Sequence, residues 1–99
     1  MQGKRVVITG ASRGIGADLA RGFASAGARV VLVARDTEAI EKLAADLGGE
    51  AYPCDLADRS ARDALIPRIE ADGPIDVLVN NAGILDTTAF ETMDAASIP

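Results

Sequence analysis

The sequence predicts an α/β fold in which a doubly wound parallel sheet is built as a βαβαβαβ unit with strand order 3-2-1-4. Four short apolar runs alternate with three longer segments of helical periodicity, the pattern of βαβ units. The first run is nearly continuous Val and Ile rather than alternating, as expected of a strand covered by helices on both faces. Right-handed crossovers then leave strands 1 and 4 as neighbours whose chains run off in opposite directions at their carboxyl ends.

The first strand is expected over Arg5 to Thr9, "RVVIT", and the second over Arg29 to Ala34, "RVVLVA". The third, Ala51 to Cys54, is weaker, and the fourth, Asp76 to Asn80, reads "DVLVN". In the first helix Ile15, Leu19 and Phe23 lie one turn apart and predict an inward stripe, with Gly27 as the stop. In the second, Ile40, Leu43, Ala44 and Leu47 recur at i, i+3, i+4 and i+7; Asp36 or Thr37 offers the N-cap, and Gly48-Gly49 ends it. The third starts after Asp58 and turns Ala61, Leu65 and Ile69 inward. Pro67 inside it predicts a kink or a shortened helix, because proline cannot bond the carbonyl four residues back. Gly73-Pro74 leads into the fourth strand, and beyond Ala82-Gly83 the pattern fades.

A chain of 99 residues supports one core, so a single domain over residues 1–99 is expected. The net charge is −5, and the ten lysines and arginines are scattered, which leaves no basic stripe for nucleic acid. Cys54 is the sole cysteine and there is no histidine; intramolecular disulfides, His-based metal sites and Ser-His-Asp catalysis are excluded. No apolar run approaches the length of a membrane span or signal peptide, and a cytoplasmic location is expected.

The chemistry concentrates in "TGASRGIG", where Gly10, Gly14 and Gly16 are spaced four and two apart. A Walker-type loop needs two glycines five apart followed by Lys and Ser or Thr, and the sequence fails that test. The spacing of G-x-G-x-x-G fails too. What remains is its physical role: a turn out of a strand, close backbone approach, and a helix N-terminus whose N–H groups and dipole favour an anion. On its own, the turn also admits a tight connection without ligand.

"TGASRGIG" after the first strand, "CDL" after the third and "NNAG" after the fourth together resemble the short-chain dehydrogenase/reductase family, over Lys4 to Ile84. The resemblance implies a Rossmann-like fold that binds a nicotinamide dinucleotide. It implies that Gly10, Gly14 and Gly16 form the pyrophosphate turn, with Ser12 and Ile15 adding contacts. Asp55 and Leu56 would clamp the adenine, although Asp55 by itself reads as a turn aspartate. Asn80 would stabilise the sheet, and Asn81, Ala82 and Gly83 would pass beside the ribose.

An acid about 20 residues after the glycine turn holds the ribose of NAD in many dinucleotide folds, and Asp36 stands there. Asp36 is also where the second helix needs its cap. In the family the NAD-selecting acid usually occupies the place held here by Ala34. With Ala34 neutral and Arg13 and Arg35 at the same end, NADP(H) is expected over NAD(H), since arginine forks suit a phosphate. The plainer reading of both arginines is as solvated surface residues.

Family members transfer hydride with a tyrosine, a lysine four residues later, a serine and an asparagine. Tyr52 is the sole tyrosine and Leu56 follows it by four; Lys4 and Lys42 are not placed to serve. Tyr52 is expected to be a partly buried strand aromatic. The chain is therefore expected to be the cofactor-binding portion of a reductase acting on a carbonyl or secondary alcohol, with the catalytic segment absent, inactive alone, and self-associating as a homo-oligomer. The alternative is a stand-alone dinucleotide-binding or self-associating module without turnover.

Overall fold

The computed structural model describes residues 1–81. Its elements run β1 (Arg5–Thr9), α1 (Gly14–Ser25), β2 (Arg29–Ala34), α2 (Thr37–Leu47), β3 (Glu50–Pro53), α3 (Arg59–Ala71) and β4 (Val77–Asn80). The strands form one sheet in the order β3-β2-β1-β4, every neighbouring pair parallel. Arg5 pairs with Arg29, Val6 with Val77 and Val31 with Glu50, which sets all four carboxyl ends on the same side.

The apolar runs are continuous because the sheet is buried on both faces, and the two-residue period of a strand divides their side chains between two cores. Val6, Ile8, Val30 and Leu32 pack with Ala17, Ala20, Ile40 and Leu43 of α1 and α2. Val7, Val31, Val33 and Leu78 pack on the other face with Leu65 and Ile69 of α3. Enclosing each such Val, Leu or Ile is worth roughly 1.5–3 kcal/mol. Two-sided burial of a four-stranded sheet thus supplies the main stabilising term.

The helix ends follow local chemistry. Asp36 caps α2, its carboxylate accepting from Ala39 N at 3.0 Å, and Asp58 caps α3 in the same way through Ala61 N at 3.2 Å. Gly48 ends α2 in the left-handed region at φ 67°, where a side chain would be strained.

Three details depart from the sequence reading. The inward stripe of α1 is not led by Ile15, which is 70% exposed; Gly16, Ala17 and Ala20 are buried while Leu19 and Phe23 pack only partly. Small residues form the most buried part of that face. Pro67 does not shorten α3, which runs 13 residues through it. Pro67 and Asp63, whose carbonyl loses its usual donor, both sit on the exposed side, where water can satisfy that oxygen. β3 begins at Glu50, one residue before the expected start, and β4 begins at Val77 rather than Asp76.

Candidate functional site

A cleft of about 910 Å³ opens at the carboxyl ends of the strands. Gly10, Ser12 and Arg13 line it from the turn after β1; Ala34, Arg35 and Asp36 from the end of β2; Cys54, Asp55, Leu56 and Ala57 from the turn after β3; and Asn81 from the end of β4. Residues that are 71 positions apart in sequence meet here because parallel strands deliver all their exits to one edge. Of the residues singled out in the sequence, Gly10, Ser12, Arg13, Arg35, Asp55, Leu56 and Asn81 form the walls.

Gly14, Ile15 and Gly16 do not line the cleft. Ile15, expected to add a side-chain or backbone contact, turns its side chain to a separate apolar groove with Met1, Leu19, Phe23 and Ala26. Gly14 holds φ 60° with open space around it, so it makes the turn. Gly16 acts through packing. A Cβ there would stand 2.1 Å from the Gly10 carbonyl oxygen and 2.8 Å from Asn81 Nδ2, so only glycine lets the first turn of α1 approach both segments. Ala82 and Gly83 lie outside the described residues.

The walls are braced from below. The Thr9 hydroxyl, fully buried, donates to Asn80 Oδ1 at 3.0 Å and accepts from Asn81 N at 2.9 Å. It joins the exits of β1 and β4. Cys54 N donates to Ala34 O at 3.0 Å and ties the exit of β3 to that of β2. Asp55 Oδ1 accepts from Ala57 N at 3.0 Å, the turn role open to any aspartate there, while its carboxylate remains exposed at the cleft wall. Thr9 was not singled out in the sequence; its one signal is a hydroxyl closing an otherwise apolar strand just before Gly10.

The electrostatics of the cleft are uneven. The helix whose N-terminus abuts Gly10 has no side-chain cap bond at Arg13 and no acidic residue in its first turn, whereas α2 and α3 are both capped by aspartate. The first N–H groups of α1 and its dipole are left for an outside acceptor. Arg13 and Arg35 add two exposed guanidinium groups to the lining of the cleft. Burial pushes the Cys54 thiol above its ordinary range, and the negative charge of Asp55 pushes it the same way. The thiol is thereby kept protonated and chemically quiet. Among the described residues no His, Cys, Asp or Glu cluster could hold a metal.

Tyr52 is a buried strand aromatic, as expected: it is 9% exposed, its hydroxyl donates to Asp72 Oδ2 at the end of α3, and Arg68 lies over its ring at 5.6 Å. No helix among the described residues is long and apolar enough to cross a membrane.

Residues 4–98 match the family model described as short chain dehydrogenase. An uncharacterized oxidoreductase of Mycobacterium tuberculosis is 47% identical over 92 residues, 84% of this chain and 27% of its own length. The fatty acyl-CoA reductase of Acinetobacter baylyi is 47% identical over 89 residues, 84% of this chain and 30% of that protein. In structure, a metagenomic short-chain oxidoreductase in complex with NADP superimposes with a TM-score of 0.76 at 39% identity, over 94% of this chain and 49% of that one. The chain spans about a third or less of the length of these two curated relatives. Its glycine turn, its parallel 3-2-1-4 sheet and its match over nearly every residue agree on one conclusion: the chain belongs to the short-chain dehydrogenase family.

Proposed function

We propose that the cleft binds a nicotinamide dinucleotide, NADP(H) in preference to NAD(H), on behalf of an oxidoreductase that acts on a carbonyl or secondary alcohol. The carrying observation is the uncapped N-terminus of α1 beside Arg13 and Arg35, next to an Asp36 whose carboxylate is committed to capping α2. The fit is one of size and charge. A cleft near 910 Å³ is at the upper end of the range of small-molecule sites, and its donors converge where phosphates would lie.

In this reading the pyrophosphate rests on the turn of Gly10, Ser12, Gly14 and Gly16, against the free N–H groups of α1. Arg13 and Arg35 grip the 2′-phosphate, and Ala34, small and neutral, leaves room for it. Asp55 accepts from the adenine amine, with Leu56 against the ring. Asn81, with Ala82 and Gly83 following it in sequence, runs beside the ribose. The bound dinucleotide supplies a hydride; the residues of this chain bind and orient it. Tyr52, engaged by Asp72, takes no part.

The test is a titration of the chain with NADPH and NADH. NADPH is expected to bind at least about tenfold more tightly, the worth of one charge-assisted hydrogen bond. Ala34→Asp should reverse the order by setting a carboxylate against the 2′-phosphate. Equal affinities, or tighter NADH binding by the unaltered chain, would overturn the preference, and failure to bind either would overturn the site.

A further inference from the structure

The geometry points to Arg62 as a positioning residue for the adenosine end of the cleft, holding the Asp55-Leu56 turn in place from behind. This inference rests on the dinucleotide reading above. The turn after β3 is a chain of short-range bonds: Ala57 N donates to Asp55 Oδ1 at 3.0 Å, Asp58 N to Asp55 O at 2.9 Å, and Ala61 N to Asp58 Oδ1 at 3.2 Å. These bonds use the oxygens of Asp55 and Asp58 and none of Leu56. The Leu56 carbonyl is the acceptor in the middle of the turn that the turn itself leaves over.

Arg62 supplies its donor. It lies one turn into α3, Nη1 donates to Leu56 O at 3.4 Å, and its backbone N donates to Asp58 O at 2.9 Å. Arg62 is half-buried and its Nε is enclosed by protein, while Asp63 and Ala64 beside it on the helix are exposed. A guanidinium drawn inward on an otherwise solvated stretch of helix is oriented by what it contacts. One of its contacts is Leu56, the residue whose side chain, 7% exposed, forms the cleft wall next to Asp55. Arg62 acts through the Leu56 carbonyl, which sets how Leu56 and the Asp55 carboxylate face the cleft.

The probes are NADPH and adenosine 2′,5′-bisphosphate, titrated into the chain and into Arg62→Ala and Arg62→Lys, with amide hydrogen exchange recorded on each. Arg62→Ala is expected to weaken adenosine 2′,5′-bisphosphate about fivefold, the effect of losing one modest hydrogen bond. It should also speed exchange at the Ala57 and Asp58 amides while leaving the Ile69 amide protected. Arg62→Lys, which keeps a donor, should recover part of the affinity. Unchanged affinity in Arg62→Ala, or loss of protection along all of α3, would overturn the positioning role. If the unaltered chain binds neither probe, the dinucleotide reading itself fails and this inference falls with it.

Discussion

Arg5 and Glu50, at the starts of two strands that are not neighbours in the sheet, form a two-point ion pair: Nη2 to Oε1 at 2.8 Å and Nε to Oε2 at 3.2 Å. The same guanidinium donates through Nη1 to the carbonyls of Ile69 and Gly73 at the end of α3, and its own backbone N–H donates to Asp76 Oδ2 at 2.8 Å. One side chain thus ties β1, β3, α3 and the start of β4 together at the end of the sheet opposite the cleft. The Arg5 side chain is 5% exposed and Glu50 28%, so the arginine has far less access to water.

Glu50→Ala should therefore destabilise the fold by about 1–3 kcal/mol in urea unfolding, because it leaves a buried cation short of its counter-charge. Arg5→Met combined with Glu50→Leu should recover part of that loss, since no unpaired charge remains. A double variant no more stable than Glu50→Ala would show that the arginine's bonds to the Ile69 and Gly73 carbonyls outweigh the ion pair.

Three glycines of α1 should rank by geometry when each is replaced with alanine. Gly16→Ala drives a Cβ into the Gly10 carbonyl and should cost about 2 kcal/mol or more, with weaker NADPH binding. Gly14→Ala has open space but a left-handed φ, and should cost about 1–2 kcal/mol. Gly22→Ala, within the helix and with nothing within 4 Å, should stabilise by roughly 0.5–1 kcal/mol. Denaturation midpoints of the three variants check the order; a destabilised Gly22→Ala or a neutral Gly16→Ala breaks it.

Asp36 is a cap in the structure, and its substitution should behave as loss of a cap. Asp36→Ala should lower stability by about 1 kcal/mol, and Asp36→Ser should restore most of it. The ratio of NADPH to NADH affinity should stay unchanged in both. A selective loss of NADH binding would show instead that the carboxylate holds a ribose hydroxyl.

Tyr52 gives an alkaline limit to stability. The hydrogen bond to Asp72 favours the protonated phenol, and burial adds to it, so the folded state holds Tyr52 above its usual range near ~10. With the folded value above the unfolded one, this stabilisation is complete below about pH 10 and is lost as pH rises through the folded value. Unfolding free energies measured from about pH 8 to 11 should fall more steeply for the unaltered chain than for Tyr52→Phe, which has no proton to lose. Parallel slopes would refute the coupling.

Much of the fold was legible because its determinants are local or periodic. The Val and Ile runs of β1 and β2, the Asp36 cap, and Gly48 at the end of α2 each work through neighbours a few residues away. Most of the cleft was legible as well, since a parallel sheet brings the segments after β1, β2, β3 and β4 to one edge whatever their side chains are. Ile15 was misplaced because helical spacing shows which residues share a face, while the way α1 packs on the sheet decides which face is buried. Thr9, Arg5 and Arg62 carried no local pattern: a threonine ending a strand, an arginine beginning one and an arginine on a polar helix are each ordinary until their partners are known.

By itself, then, the sequence determined the order of the elements, where α2 starts and stops, the two-sided burial of the sheet and the glycine turn at the exit of β1. Those properties depend on propensity, capping and periodicity, which act within a few residues. Tertiary structure decided which groups meet across long stretches of chain: Asn81 against Gly16, Thr9 between β1 and β4, Arg5 with Glu50, and Arg62 behind Leu56. Each is a hydrogen bond, ion pair or steric limit whose strength falls away within a few ångströms, so it exists only once the strands have been brought side by side.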